Sequence, residues 1–202
     1  ALPIYGIYEE NDSVLYVVTA GSGFHKLILE KQAGTIRFKS QKSYHFFHGQ
    51  REITMFYPML PEGDSILWLG SREKGLVRFD KRTEEYKVIS LKEMLHKSVD
   101  DVLSLYRTKE GLLYVGTTSG LVCLNSNGKQ MKATYIGREQ GLLNDMIHGV
   151  LEDENGLLWL GTNRGLIKYN PINGSSHAYF YSAGESNRQF DQGIWVQQSC
   201  LG

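Results

Sequence analysis

A repeat with a period of 45 residues constrains this chain more than any other feature of its sequence. Residues 155–170, Asn-Gly-Leu-Leu-Trp-Leu-Gly-Thr-Asn-Arg-Gly-Leu-Ile-Lys-Tyr-Asn, match residues 110–125, Glu-Gly-Leu-Leu-Tyr-Val-Gly-Thr-Thr-Ser-Gly-Leu-Val-Cys-Leu-Asn. A third copy begins at Ser65, and a more degenerate copy covers residues 15–27. The Gly-Leu steps at residues 75, 120 and 165 are 45 residues apart. Such a chain is expected to stack equal structural units.

Each copy predicts four short strands separated by glycine-containing turns. In the best copy the predicted strands cover residues 146–152, 157–162, 166–170 and 176–181. A period of about 40–45 residues with four strands is typical of a β-propeller blade. The sequence therefore predicts an all-β fold of four-stranded antiparallel sheets, with a short helix at residues 91–97 as the exception.

The length of the chain limits how many such blades it can hold. We predict one partial propeller over residues 1–202, with blades at about 1–41, 52–90, 100–136 and 145–181 and the first strand of a further blade at 186–202. These are about four and a half blades of an incomplete propeller of about seven, because a ring of seven needs about 7 × 45 residues. An open blade edge is expected to pair with another copy of the chain.

Two recurring residue types have structural explanations in a stack of sheets. Trp68, Tyr114 and Trp159 occupy equivalent positions on the second strand of three copies, where a large aromatic would fill the gap between neighbouring sheets. Gly70, Gly116 and Gly161 follow two residues later, and we expect a Cβ there to clash with a crowded strand.

Charge and composition exclude several classes of protein. The chain has 22 Lys and Arg against 22 Asp and Glu, and a binder of nucleic-acid phosphates normally carries a basic excess. We therefore expect no direct contact with nucleic acid. No run approaches the roughly 20 apolar residues of a membrane span.

His45 and His48 lack a third ligand, so the sequence predicts no metal site. It also predicts no cofactor and no catalytic residue.

The best-preserved copy resembles a known family. The residues that carry the resemblance to the two-component regulator propeller repeat are Gly141-Leu142-Leu143-Asn144-Asp145, Ile147, Glu152-Asp153, Gly156, Leu158-Trp159-Leu160-Gly161-Thr162 and Gly165-Leu166. That repeat fills the periplasmic sensor region of hybrid two-component systems in Bacteroides-type bacteria. The resemblance implies a periplasmic module that detects glycan fragments and regulates a cytoplasmic histidine kinase. The kinase and the membrane anchor would lie in parts of a parent protein outside this chain.

Ligands of propellers often bind at the end of the blades where the loops between strands two and three meet the connections between blades. We expect that candidate face to include Arg72, Lys74, Asp101, Arg138, Asn144, Asp145, Asn163, Arg164 and Arg188. Such side chains could bind sugar hydroxyls or an acidic group of a glycan or other small molecule. The competing interpretation is that Asp100-Asp101 and Asn144-Asp145 only cap the turns that lead into strand one.

Two other functions remain open on the sequence: a carbohydrate-active enzyme, and a quinoprotein-type or scaffold propeller. A carbohydrate-active hydrolase or lyase would need carboxylates or a His and Tyr set converging on one pocket. A quinoprotein-type or scaffold propeller also uses an aromatic-x-Gly-Thr pattern, although Gly141 to Asp145 favours the regulator repeat. Self-association, through blade edges or as a sensor dimer, is expected in any of these cases.

Overall fold

The computed structural model describes residues 3–32, 34–127 and 130–179. It contains four antiparallel sheets of four strands each and one two-stranded hairpin. The all-β propeller-blade prediction is confirmed. The chain divides into two compact units, residues 1–90 and 91–202. The strand predicted within 186–202 lies outside the described residues.

The first unit holds two of the four-stranded sheets, and the hairpin lies between them in the sequence. The first sheet has the strand order β1 (Ile4–Asn11), β2 (Val14–Thr19), β3 (Gly23–Gln32) and β4 (Thr35–Tyr44). The hairpin is β5 (Phe46–His48) with β6 (Arg51–Ile53). The second sheet is β7 (Phe56–Glu62), β8 (Ile66–Ser71), β9 (Leu76–Asp80) and β10 (Tyr86–Ile89).

The second unit begins with the short helix that the sequence predicts, α1 (Leu91–Leu95). Its first sheet is β11 (Val102–Arg107), β12 (Leu113–Thr117), β13 (Gly120–Asn127) and β14 (Gln130–Ile136). A 3-10 helix (Arg138–Gln140) leads into the second sheet, β15 (Ile147–Glu152), β16 (Leu158–Thr162), β17 (Gly165–Tyr169) and β18 (Ser176–Tyr179). Every sheet is an antiparallel meander, because short turns allow each strand to pair with the next one in the chain.

Tyr16 of β2 packs between the two sheets of the first unit. Its ring stacks on Phe24 with the centroids 5.5 Å apart, and Phe24 meets the edge of Phe79 at 5.2 Å. All three rings are fully buried in one cluster with Leu67 and Leu69. Aromatic rings are large enough to fill the space between twisted sheets and contribute about 0.5–1.5 kcal/mol per pair beyond their buried area.

Tyr114 of β12 has the same role in the second unit. It is 4% exposed and belongs to a cluster with Leu158 and Leu160 of the neighbouring sheet. Trp159 occupies the equivalent position on β16, on the face of its sheet opposite Leu158 and Leu160, and is half-buried. The described residues around it are Lys168, whose Nζ lies 4.8 Å from the ring centroid, and Tyr179, at 5.2 Å between centroids.

Gly116 confirms the prediction of a crowded strand. A Cβ there would lie 2.1 Å from Ser104 Oγ and 2.6 Å from the Ile147 carbonyl oxygen. Ser104 donates its hydroxyl to that same carbonyl at 3.2 Å. The absence of a side chain at Gly116 therefore allows β15 to approach β11 and β12 closely.

Candidate ligand-binding face

The loops and connections that were expected to meet do so within the second unit. The Thr118 amide donates to the Asp101 carbonyl at 3.1 Å, and the Gly120 amide donates to the Asp145 carbonyl at 2.6 Å. The hairpin between β12 and β13 thus contacts both the segment before β11 and the segment before β15. We call this end of the second unit the loop face.

An ion pair lies on the loop face. Arg138 Nε is 2.9 Å from Oδ2 of Asp145, and the Arg138 side chain is 74% exposed. The other carboxylate oxygen, Asp145 Oδ1, is buried and has no hydrogen-bond partner among the described residues. The guanidinium is accordingly held by one nitrogen in an exposed position, where its remaining N–H groups can donate to a ligand oxygen.

The connection that carries this pair is fixed along its length. The Gln140 amide donates to the Gly137 carbonyl at 3.0 Å, which closes the 3-10 turn, and the Gly137 amide donates to Gln140 Oε1 at 2.9 Å. Tyr169 donates its hydroxyl to the Gln140 carbonyl at 3.1 Å, and Ser176 donates to the Gly141 carbonyl at 2.6 Å. These bonds attach the middle of the connection between β14 and β15 to β17 and β18. The positions of Arg138 and Asp145 are therefore fixed by the sheet.

Tyr135 and Lys97 also line the loop face, and sequence reasoning missed both. Tyr135 donates its hydroxyl to the Ser119 carbonyl at 2.8 Å, and Lys97 Nζ lies 4.8 Å from the ring centroid. Burial raises the pKa of Tyr135, with smaller contributions from the charges of Asp145 and Glu139. The sequence signal that could have identified Tyr135 is the pair of glycines Gly120 and Gly137. A Cβ at either position would come within 3 Å of the Tyr135 ring.

The turn-capping interpretation holds for part of the predicted set. Asn144 is buried, and its Oδ1 accepts the Met146 amide at 3.1 Å, as expected for a residue that shapes the turn into β15. Asp100 instead accepts the Lys92 amide at 2.8 Å and so fixes the start of α1. Asp101 contributes its backbone carbonyl, described above.

Asn163 and Arg164 are exposed in the hairpin between β16 and β17. The pairing of Ile147 with Thr162 puts this hairpin at the same end of its sheet as Asp145. Arg72 and Lys74 lie between β8 and β9 in the first unit, where the Arg72 amide donates to the Met55 carbonyl at 3.0 Å. Arg188 lies outside the described residues.

The remaining motifs have local structural roles. Asp153 Oδ1 accepts the amides of Asn155 and Leu157 at 2.9 and 3.0 Å, which confirms a turn at this position. His45 pairs with Glu52 through Nδ1. No cluster of three potential metal ligands occurs within residues 3–32, 34–127 and 130–179. In those same ranges no helix has the length and apolar character needed to cross a bilayer.

Comparison with known proteins agrees with this architecture. Residues 141–164 match the family described as two component regulator propeller. The chain is 33% identical over 182 residues to histidine kinase P4 of Formosa agariphila, an alignment that covers 83% of this chain and 12% of the kinase.

Two solved structures from B. thetaiotaomicron have the same fold. One is the extracellular domain of a protein assigned as the hybrid two component system BT3049, with a TM-score of 0.67 and 20% identity over 88% of this chain and 23% of that one. The other is the extracellular domain of BT4673, with a TM-score of 0.66 and 17% identity over 93% of this chain and 23% of that one.

The repeated four-stranded sheets, with their interleaved aromatic cores, define a protein built of β-propeller blades. Within it, residues 141–164 match the two-component regulator propeller repeat. It spans only 12% of the length of its histidine kinase relative and about a quarter of the two solved domains.

Proposed function

We propose that this chain is the extracytoplasmic, periplasmic ligand-sensing module of a two-component sensor and is itself not an enzyme. The observation that carries the proposal is the 33% identity to a histidine kinase over 182 residues, in a chain that matches the regulator propeller family. The kinase would be a separate part of a parent protein. The extracellular origin of the two solved domains supports the location.

The loop face of the second unit is the proposed binding site, and glycan fragments are the proposed ligands. Arg138, Lys97 and the Asp145 carboxylate supply donors and acceptors for hydroxyl groups, and Tyr135 supplies part of an aromatic surface. Sugar recognition needs this combination of directed hydrogen bonds and apolar contact. The mixture of cationic and anionic groups favours neutral or zwitterionic sugars over strongly anionic polymers.

Signalling requires that the ligand bind one arrangement of the sensor more tightly than another, because equal affinity for both shifts no equilibrium. The anchored connection between β14 and β15 is suited to this role, since it joins the Arg138–Asp145 pair to Tyr169 and Ser176. A sugar that displaces the Arg138–Asp145 pair would therefore shift the connection that is hydrogen-bonded to β17 and β18.

A glycan panel tests this proposal. Oligosaccharides of several backbone types would be titrated into the purified chain by calorimetry, and each hit would be repeated with Arg138→Ala. Binding that the substitution weakens at least tenfold supports the loop face. Failure of every oligosaccharide to bind the folded chain would overturn glycan sensing, and binding unaffected by Arg138→Ala would overturn the site.

The enzyme alternative has one supporting observation. Burial raises the pKa of Glu152, and the nearby Glu110 raises it further, at the opposite end of the second unit from the loop face. A carboxyl group with a raised pKa can act as a general acid. Release of reducing sugar by the wild-type chain, abolished by Glu152→Gln, would favour a hydrolase.

We also propose that the chain self-associates through a sheet face that the described residues of the second unit leave exposed. Leu151 and Tyr179 are 41% and 36% exposed on the same face as the half-buried Trp159, whereas the equivalent Tyr114 is covered by a neighbouring sheet. Uncovered apolar sheet faces favour association. A second copy of the chain is the proposed partner, and sedimentation velocity over a range of concentrations measures it.

A further inference from the structure

His25 of β3 lies at the centre of a hydrogen-bonded cluster that the proposed function does not use. The residue is 7% exposed. Its Nε2 is 2.8 Å from Ser22 Oγ, and its Nδ1 is 2.9 Å from Ser43 Oγ and 3.1 Å from Gln41 Nε2. The cluster therefore joins the hairpin between β2 and β3 to strand β4.

One consistent order of hydrogen bonds links the two ends of the cluster. With the Thr19 hydroxyl donating to the Gly23 carbonyl at 3.2 Å, Thr19 Oγ1 accepts from Ser22 Oγ at 3.1 Å and from the Ser22 amide at 3.1 Å. In this order the single hydroxyl proton of Ser22 is donated to Thr19. The proton between Ser22 and His25 therefore comes from Nε2. Nδ1 is then unprotonated and accepts from the Gln41 amide, which can only donate.

The same order excludes one chemical role. A Ser and His pair at hydrogen-bond distance suggests nucleophilic catalysis, in which the imidazole takes the serine proton. In this order Nε2 carries a proton and donates it to Ser22, so it is not placed to take a proton from that hydroxyl. The amides of Gly21 and Gly23 both donate to the Thr54 carbonyl at 2.9 Å, which leaves neither of them for an oxyanion.

A second proton on His25 would disrupt this order. It would go to Nδ1 and face the Gln41 amide group, so the amide would have to reverse and the Ser43 hydroxyl would have to turn. The groups beside His25 on its face of the sheet are Ile7 and Val17, with Glu9 one row further along β1. His45 repels a positive charge at His25, and it is itself paired with Glu52. Burial, followed by His45, lowers the pKa of His25, and a hydrogen bond with the Ser22 backbone only partly offsets this shift.

We propose that His25 is a proton-sensitive latch, which holds the β2–β3 hairpin against β4 when the imidazole is neutral and releases it when the imidazole is protonated. Thr54 ties the other side of the hairpin to the segment before β7. Release would therefore loosen one end of the first unit and leave its aromatic core in place. The latch does not depend on the proposed sensing function.

The sign of the pH dependence follows from the lowered pKa. An unfolded histidine titrates at about pH 6.5, and the neutral form is favoured in the folded chain. Below that pH the open or unfolded state binds more protons, so acid favours opening. The full latch is present above pH 6.5 and weakens as the pH falls toward the pKa of the folded state.

Nuclear magnetic resonance on the whole chain tests the latch. The imidazole nitrogen shifts should identify the Nε2–H tautomer at pH 7.5. Amide exchange of Ser22 and Gly23, corrected for intrinsic rates, should rise at least tenfold between pH 7.5 and 5.0. His177→Gln, at an exposed histidine, is the matched control and should keep the response, whereas His25→Gln should abolish it. An Nδ1–H tautomer, or unchanged exchange in the wild type, overturns the proposal.

Gln41→Glu provides a second test if His25→Gln does not fold. Gln41 is exposed, so the substitution should be tolerated. It exchanges an amide donor for a carboxylate beside Nδ1, which favours the protonated imidazole. The midpoint of the His25 titration should move upward by about one pH unit, because an opposite charge at this range shifts a pKa by about that much. An unmoved midpoint would contradict the proposed contact with Nδ1.

Discussion

Lys81 Nζ lies 2.8 Å from Oε1 of Glu10, which joins the end of β9 in one sheet of the first unit to β1 in the other. The Lys81 side chain is 3% exposed, and it also donates to the Tyr8 hydroxyl at 3.3 Å and lies over that ring. Burial lowers the pKa of Lys81, but the bonds to Glu10 and Tyr8 more than offset this effect and raise it overall. The ammonium therefore remains charged and paired at neutral pH.

Lys81→Ala should destabilise the chain by about 3 kcal/mol, because it leaves the Glu10 carboxylate partly buried without its partner. Urea denaturation followed by tryptophan fluorescence measures the change. Lys39→Ala is the matched control, since Lys39 pairs with Glu30 at 3.9 Å and both side chains are largely exposed. An exposed pair contributes about 0–1 kcal/mol. Equal effects of the two substitutions would contradict the structural role of Lys81.

Gly116→Ala should destabilise the second unit by about 1–3 kcal/mol, the usual cost of overpacking. Its Cβ would collide with the Ile147 carbonyl, and a backbone atom cannot rotate away. Gly34→Ala is the control, because nothing lies within 4 Å of a Cβ there, although its φ of +80° still carries a cost of about 1 kcal/mol. Thermal unfolding of both variants compares them, and a smaller effect at Gly116 than at Gly34 would count against the crowded strand.

The repeat alone was enough to predict the four-stranded sheets and the crowding at Gly116. Its spacing sets strand length, turn position and the burial of equivalent residues, which are local or periodic properties. Tyr135 and Lys97 could not be predicted in the same way. Their contact depends on how α1 and β14 pack, and neither residue recurs at equivalent positions in the other copies. Asn144 was placed in the right segment, but only its hydrogen bond to Met146 distinguishes a turn cap from an exposed ligand group.

Tyr114→Ala and Trp159→Ala should differ, although the two aromatics are equivalent in sequence. Tyr114 is covered by Leu158 and Leu160, so its truncation should cost about 3–5 kcal/mol, as for other large core residues. Trp159 is half-buried, and its truncation should cost clearly less in dilute solution. Chemical denaturation at low protein concentration gives both values. Equal destabilisation by Trp159→Ala and Tyr114→Ala in a monomer would show that Trp159 is covered, and would contradict the proposed exposed face.

The same Trp159→Ala variant should reduce self-association at high concentration. Leu151, Trp159 and Tyr179 share one face, and loss of the largest ring removes much of its apolar area. Sedimentation velocity at several concentrations should show a lower association constant for the variant than for the wild type. Ile172→Ala is the control, since Ile172 is 93% exposed in the turn that follows β17 and should not affect association.

Arg138→Ala should leave the stability of the chain within about 1 kcal/mol of the wild type, because its pair with Asp145 is exposed on the arginine side. Oligosaccharide affinity should nevertheless fall at least tenfold, since a charged hydrogen bond to a ligand contributes about 1.5–3 kcal/mol. Lys109→Ala is the matched control: it removes one positive charge at the turn between β11 and β12, at the opposite end of the sheet. Calorimetric titration of the three proteins with one oligosaccharide separates a directed contact from a general loss of charge, because only the directed contact distinguishes Arg138 from Lys109.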